Sequence, residues 1–371
     1  VKVRSYANFL KEFMYKIEKD PLLAVVRNSA ITSVSIVGMA KNVGKTVTMN
    51  ALVAQAAKQG LCLGLTSVGR DGEKHDEVFH TPKPRIFAPA GCLLATARGT
   101  LKNSEIAIEM IKDTGFSTAM GDVIIGRALK SGYVELAGPT LIKHHRVLLE
   151  LLQQLGADLV IVDGALDRVS SATPSLAKAV ILATGAVLGA SAPTVIEKTR
   201  DRIERLTLPQ VDECDIKRYR SMMEQHKVAS IDVTGQVSVL PAEGSLIAGK
   251  IISQRITPLT KTVVMAGAVG NGVLEGLLAN KALVKNLCLV IRNATCLFCD
   301  RAIWRRFIEN GGCIKVVEPI HLLAVTLNPT SIKGMQFQPR EFFELAAKML
   351  APYPVMDVVM GYSSIECSSK S

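Results

Sequence analysis

Residues 38–46 read GMAKNVGKT, with a lysine and a threonine directly behind a glycine. These residue types suit a triphosphate. Glycines let backbone N–H groups close on phosphate oxygens, a lysine neutralises the β- and γ-phosphates, and a hydroxyl serves Mg2+. Lys45 and Thr46 would take the last two roles. Gly38, Lys41, Asn42, Val43 and Gly44 would form the cradle, closed by Lys45, Thr46 and Val47 in the first turn of a helix. The spacing departs from the common G-x-x-x-x-G-K-[ST]. That pattern wants glycine at position 39, where this chain has Met39, and Gly38 stands one residue further back. A GKT tripeptide also arises by chance, so its flanks must decide.

The flanks are a strand and a helix. ITSVSIVG, 31–38, is a β-rich apolar run. In TVTMNALVAQAAKQG, 46–60, Met49, Leu52, Val53 and Ala56 fall at i, i+3, i+4 and i+7, one face of a helix that Gly60 would stop. LCLGLTS, 61–67, then reads as a second strand. The loop therefore lies inside a β-α-β unit, at a helix N-terminus, where free N–H groups and the helix dipole favour phosphate. A third piece is ADLVIVDGALDR, 157–168, a buried strand ending in Asp163. Mg2+ keeps most of its waters, so one well-placed carboxylate is enough to hold it.

Strands and helices alternate along most of the chain, which predicts an α/β fold. Its main part would be a mostly parallel sheet with helices on both faces, followed by a second, smaller α/β region. Helices are expected at 104–115, where Ser104 would cap, at 145–156 and at 193–206. A hairpin is expected within 123–138 and a buried strand at 179–186. The charged stretch PQVDECDIKRYRSMMEQHK, 209–227, lacks a clear apolar stripe and reads as a boundary. The expected organisation is an N-terminal helix and connector over 1–30, a nucleotide domain over 31–208, a linker over 209–227 and a C-terminal α/β domain over 228–371.

Composition bounds the rest. The chain has 371 residues, long for one compact core, with 48% hydrophobic and 21% charged residues, so it is globular rather than disordered. A formal charge of +11 favours anionic partners, although the basic residues are scattered and also read as a solvated surface. No zinc-finger, helix-turn-helix or RNA-binding signature appears, so nucleic acid is not an expected partner. The most apolar stretch, AVILATGAVLGASAP at 179–193, falls short of the ~20 residues of a spanning helix, and no membrane span is expected. Eight cysteines without a secretory signal read as reduced thiols in a cytoplasm.

Lesser motifs have ordinary explanations. TCLFCD, 295–300, holds one C-x-x-C, with Cys288, Cys313 and His321 nearest by in sequence. A closed zinc site wants four ligands, so Cys296 and Cys299 read as thiols at a helix start. GAVGNG, 267–272, reads as a tight strand-to-helix turn. His144 and His145 read as surface residues, and Trp304, Arg305 and Arg306 as a basic helix face.

GMAKNVGKT, VDGAL (162–166) and AVILATGAVLGAS (179–191) together resemble the dethiobiotin synthetase group of P-loop enzymes over roughly residues 31–206. That family's loop has the longer spacing G-x5-G-K-T, so on this resemblance nothing is missing from the loop. The resemblance implies ATP as the nucleotide, Mg2+ held by Thr46 and Asp163, and a further metal acid after the second strand. Asp71 is the candidate for that acid, with Glu73 and Asp76 as rivals. It also implies a homodimer, because this class often completes its site across two copies. The departures are specific. Thr66 stands where the family has a substrate-binding lysine, and Ala165, Leu166 and Asp167 replace its glycine pair.

SVGRDGE, TPKPRI and VDGALDR also resemble a protein associated with adenosylcobalamin-dependent lysine aminomutase. That family is regarded as one subunit of an ATP-dependent reactivating factor that works with a MutS-like ATPase subunit. On this resemblance GRDGE, 69–73, is a switch, with Arg70 sensing a γ-phosphate and Asp71 its metal or attacking water. The expected function is then a Mg2+-ATP-dependent P-loop ATPase acting on a protein partner, with Lys45, Asp71 and Asp163 carrying the chemistry. The alternatives are an ATP-dependent synthetase or ligase of small carboxylates and a nucleotide-regulated binding module.

Overall fold

A computed structural model describes residues 20–69, 85–164, 173–174, 176–241, 245–331, 334 and 336–365. Helix α1 (Pro21–Asn28) precedes β1 (Ser33–Gly38), α2 (Lys45–Lys58) and β2 (Leu63–Ser67). Then come β3 (Ile86–Ala88), β4 (Leu93–Ala97), β5 (Ile108–Thr118), β6 (Gly121–Ala128) and β7 (Gly132–Val134). They are followed by α3 (Ile142–Gln154), β8 (Leu159–Asp163), β9 (Ala179–Gly185) and α4 (Ala192–Leu206). Next are α5 (Glu213–Gln225), β10 (Val228–Asp232), β11 (Val237–Val239), α6 (Ser245–Arg255), β12 (Thr260–Met265) and β13 (Val269–Gly270). After these lie α7 (Asn271–Leu278), α8 (Lys281–Val284), β14 (Cys288–Ile291), β15 (Leu297–Phe298), α9 (Arg301–Glu309) and β16 (Cys313–Val316). The chain closes with β17 (Leu322–Asn328), α10 (Pro339–Met349), β18 (Val355–Asp357) and β19 (Tyr362–Ser363).

Two compact units emerge, Val1–Arg200 with Leu322–Ser371, and Asp201–His321. The first holds a sheet of ten described strands in the order β19-β18-β17-β9-β1-β8-β2-β4-β6-β5. From β18 to β4 every neighbouring pair is parallel, and the flanking strands β19, β6 and β5 are antiparallel. Helices cover both faces, as the apolar strands require. On one face Leu22, Leu23 and Val26 of α1 and Met49, Leu52 and Val53 of α2 pack with Val34, Ile36, Leu65 and Ile161. On the other, Leu148 and Leu152 of α3 pack with Leu93, Ala95, Val123 and Val160. The α/β class, the large mostly parallel sheet and its flanking helices agree with the sequence reading.

The partition does not agree. The second unit begins within α4 and is inserted ahead of β17 rather than following the first, and β17 returns to pair with β9. The 209–227 stretch is no bare linker, because α5 occupies most of it. Tyr219, Met222 and Met223 of α5 are buried against Ala229, Ile231, Val264 and Val290. In sequence that stripe is short and made of tyrosine and methionines among charges, which hides its period. The second unit's own sheet runs β11-β10-β12-β14-β16, parallel from β12 to β16.

Three local expectations are also corrected. The helix expected at 104–115 is instead β5, hydrogen-bonded along β6 with two register irregularities. Its apolar residues fit either period, and pairing with the buried strand β6 overrides local helix preference. No hairpin joins β6 to β7; β6 pairs with β4 and β5, and β7 with β3. His145 is fully buried, its Nε2 donating to the Pro139 carbonyl at 2.6 Å, and burial pushes its pKa down. Its neighbour His144 stacks on Phe116. Among the described residues, no helix is long and apolar enough to cross a membrane.

Candidate functional site

The loop 39–44 leaves the end of β1 and enters α2. β1 lies between β8 and β9, with Ile36 opposite Asp163 and Gly38 opposite Ala183. The Met39 N–H continues that pairing, donating to the Ala183 carbonyl at 3.0 Å. Position 39 therefore still belongs to the strand edge, and the turn begins after it. Glycine is needed at position 38 instead. A Cβ there would sit 3.0 Å from Val43 Cγ2 and 3.3 Å from the Ala40 carbonyl. Val43 is buried and plugs the underside of the loop, while Lys41 and Asn42 are exposed on top. The long spacing is thus a loop with its own architecture.

Gly44 caps α2 at φ 90°, in the left-handed region that glycine adopts without strain. Asn42 is also left-handed, at φ 63°, and asparagine tolerates this better than most residues. The first helical bond of α2 runs from the Thr48 N–H to the Gly44 carbonyl at 2.9 Å. Helix geometry leaves the N–H groups ahead of it without intrahelical acceptors. Thr46 stands in this first turn, half-buried.

Two of the expected residues meet. Lys45 Nζ lies 2.9 Å from Asp163 Oδ1, with side chains only 13% and 20% exposed. The same ammonium donates to the Gly164 carbonyl. Asp163 Oδ1 is buried and accepts no directed hydrogen bond among the described residues. Gly164 cannot carry a side chain without crowding, since its Cβ would lie 2.7 Å from the Ile36 carbonyl. The lysine of the loop and the strand-end acid therefore face each other across the C-terminal ends of parallel β1 and β8. That is where ligands bind in open α/β sheets.

The residues fit a nucleotide phosphate and its metal. Among the described residues the crevice offers loop N–H donors, the Lys45 ammonium, the Thr46 hydroxyl and the Asp163 carboxylate. Asp71 and its rivals Glu73 and Asp76, like Arg70, lie outside the described residues, as do Ala165, Leu166 and Asp167. Thr66 is buried on β2, and its hydroxyl donates to the Ala95 carbonyl at 3.0 Å. The Thr66 side chain is thus turned to the sheet's own hydrogen bonding.

Asn328 was not singled out by sequence. It ends β17 opposite Gly185, and its Nδ2 donates to the Asn42 carbonyl at 2.9 Å. Its Oδ1 accepts from the Thr330 N–H at 3.1 Å and the Thr330 hydroxyl at 2.8 Å. Behind it, Thr326 and Thr48 join hydroxyls at 2.8 Å, tying β17 to α2. The signal was an Asn-Pro pair at a strand end, but it lay in a segment assigned to another domain. Asn328→Ala removes the brace on the loop's left-handed residue. It should lower thermal stability by about 1 kcal/mol and weaken nucleotide binding several-fold. Calorimetric titration beside thermal melting checks both.

The remaining motifs lie in the second unit. Cys296 and Cys299 flank β15, ahead of the α9 cap at Asp300. Among the described residues no cluster of three or more His, Cys, Asp or Glu could hold a metal. Trp304 is buried, and Arg305 pairs with Glu204 at 2.9 Å, so that helix face is not simply a basic one.

No protein-family model matches the chain, and comparison with curated proteins returns no match.

Proposed function

We propose that this chain is a Mg2+-ATP-dependent P-loop ATPase that acts on a protein partner in the cytoplasm. The partner reading is a reactivating subunit for an adenosylcobalamin-dependent lysine aminomutase, working with a MutS-like ATPase subunit. The observation that carries the nucleotide part is the Lys45–Asp163 pair, 2.9 Å apart, at a helix N-terminus between two parallel strands. Mg2+ would supply charge neutralisation at the phosphates and would be held by Thr46 and Asp163. Lys45 would exchange its bond to Asp163 for phosphate oxygens, and the loop N–H groups would position the triphosphate.

Small-molecule ligation is the less favoured chemistry. It rests on a substrate-binding lysine, and Thr66 occupies that place with its hydroxyl already bonded. The protein-partner reading rests on the resemblance in GRDGE and VDGALDR and on the large inserted unit.

Asp163→Asn keeps the shape of the side chain and removes its charge. Nucleotide affinity should become much less dependent on Mg2+, by about tenfold or more, when titrated with and without the metal. Wild-type Mg2+ dependence in this variant would show that the metal lies elsewhere. The partner is tested by capture from the native host with and without ATP and Mg2+. Recovery of an aminomutase only in the nucleotide-dependent arm supports the reading, and its absence in both arms counts against it.

A further inference from the structure

The inserted unit brings together two thiols that the nucleotide site does not use. Strands β14 and β16 are parallel neighbours, with Cys288 registered on Cys313 and Leu289 on Ile314. Register partners on adjacent strands point to the same face and lie about 4.8 Å apart, within the roughly 4.4–6.8 Å between Cα atoms that a disulfide spans. Cys288 is half-buried at the margin of the α5 core, whereas Cys313 opens the edge strand and is exposed. The two side chains hydrogen-bond to each other.

That bond sets their characters apart. It holds the Cys313 thiol down at about 7, against the cost of partial burial and with help from the Lys315 ammonium on the same strand. Lys315 is itself anchored by Asp212 at 3.6 Å. Cys288 is pushed far up by the same bond and by burial. The other described thiols lack this arrangement. Burial raises Cys92 strongly and Cys299 to about 11, and Cys214 is exposed.

The geometry points to Cys313 and Cys288 as a hydroperoxide-responsive dithiol, in which Cys313 is attacked first and Cys288 closes an intrachain disulfide. The Cys313 thiolate takes the terminal oxygen of the hydroperoxide. The O–O bond breaks, and the departing alkoxide or hydroxide leaves as alcohol or water after protonation. Cys313 is then a sulfenic acid. The Cys288 sulfur attacks it, the S–O bond breaks, and water leaves with the Cys288 proton. Two thiols have been oxidised by two electrons, and the hydroperoxide has been reduced by the same two. This chemistry is independent of the nucleotide reading.

The test is intact mass and peptide mapping of the full chain after brief exposure to hydrogen peroxide. Cys313 should react roughly tenfold faster than exposed Cys214 near neutral pH, because the neighbouring Cys288 thiol and Lys315 ammonium favour its thiolate. A Cys288–Cys313 cross-linked peptide should appear and be lost on adding dithiothreitol. In Cys288→Ser, dimedone should instead trap a sulfenic acid on Cys313; in Cys313→Ser, Cys288 should stay unmodified. Cys313 reacting no faster than Cys214 in the wild type, or a cross-link joining other cysteines, overturns the proposal without reliance on either variant.

Discussion

Lys45→Ala is expected to abolish Mg2+-dependent ATP turnover, with kcat/KM falling by at least a hundred- to a thousand-fold, about 3–4 kcal/mol of transition-state stabilisation. The ammonium is fixed by the protein's own groups. Asp163 and the Gly164 carbonyl hold it at the mouth of the loop, and little of the side chain reaches solvent. A cation already oriented in a sheltered crevice costs little reorganisation when phosphate charge develops, which is where such groups contribute most. Lys45→Arg should recover only part of the rate, because the wider guanidinium cannot use the same narrow space between Asp163 and Gly164. Phosphate-release assays with purified wild type and both variants, with thermal melting as the folding control, give the answer. Equal rates in wild type and Lys45→Ala would remove every catalytic reading of the chain.

Gly138→Ala should have the largest effect on stability. A Cβ at this position would lie 1.9 Å from the Ser67 carbonyl oxygen and 3.1 Å from the Thr66 hydroxyl. The backbone cannot retreat, because Ala137 is held on both sides. Its N–H donates to the Thr96 hydroxyl at 2.9 Å, and its carbonyl accepts from the Ala97 N–H at 2.8 Å. The expected loss is about 3 kcal/mol or more, the upper end for overpacking a rigid site. The damage should also reach function, since Ser67 is registered opposite Asp163 and the Val68 N–H donates to the Asp163 carbonyl at 3.0 Å. Urea denaturation reads the stability and nucleotide titration reads the site. Gly91→Ala is the contrast. It has nothing within 4 Å of its Cβ and a φ of 82°, so it should lose only the left-handed penalty of about 1–2 kcal/mol. Similar losses in the two variants would mean that the Ser67 contact is not what fixes Gly138.

Local order was readable wherever burial repeats with a single clear period. The stripe Met49, Leu52, Val53 and Ala56 is fully buried, and the strand ending at Asp163 lies where the apolar run placed it. The meeting of Lys45 with Asp163 followed from having a strand and a helix on either side of the loop. Long-range arrangement was not readable. Nothing in the residues of β17 states that it pairs with β9, because a buried parallel strand is a short apolar run that suits any sheet. Asn328 was missed with it. The helix expected over 104–115 failed for a related reason: Ile106, Ile108, Met110 and Ile111 satisfy two periods at once, and only the partner strand β6 decides between them.

The contact between Asn328 and Asn42 spans 286 residues, and the whole inserted unit is threaded between its two ends. A ribosome makes the loop early and its brace late. A nascent chain halted before Leu322 holds the GKT sequence and its helix but no β17 to steady them. The brace on the loop therefore forms only once β17 has been made, after the insert has emerged and had time to fold on its own.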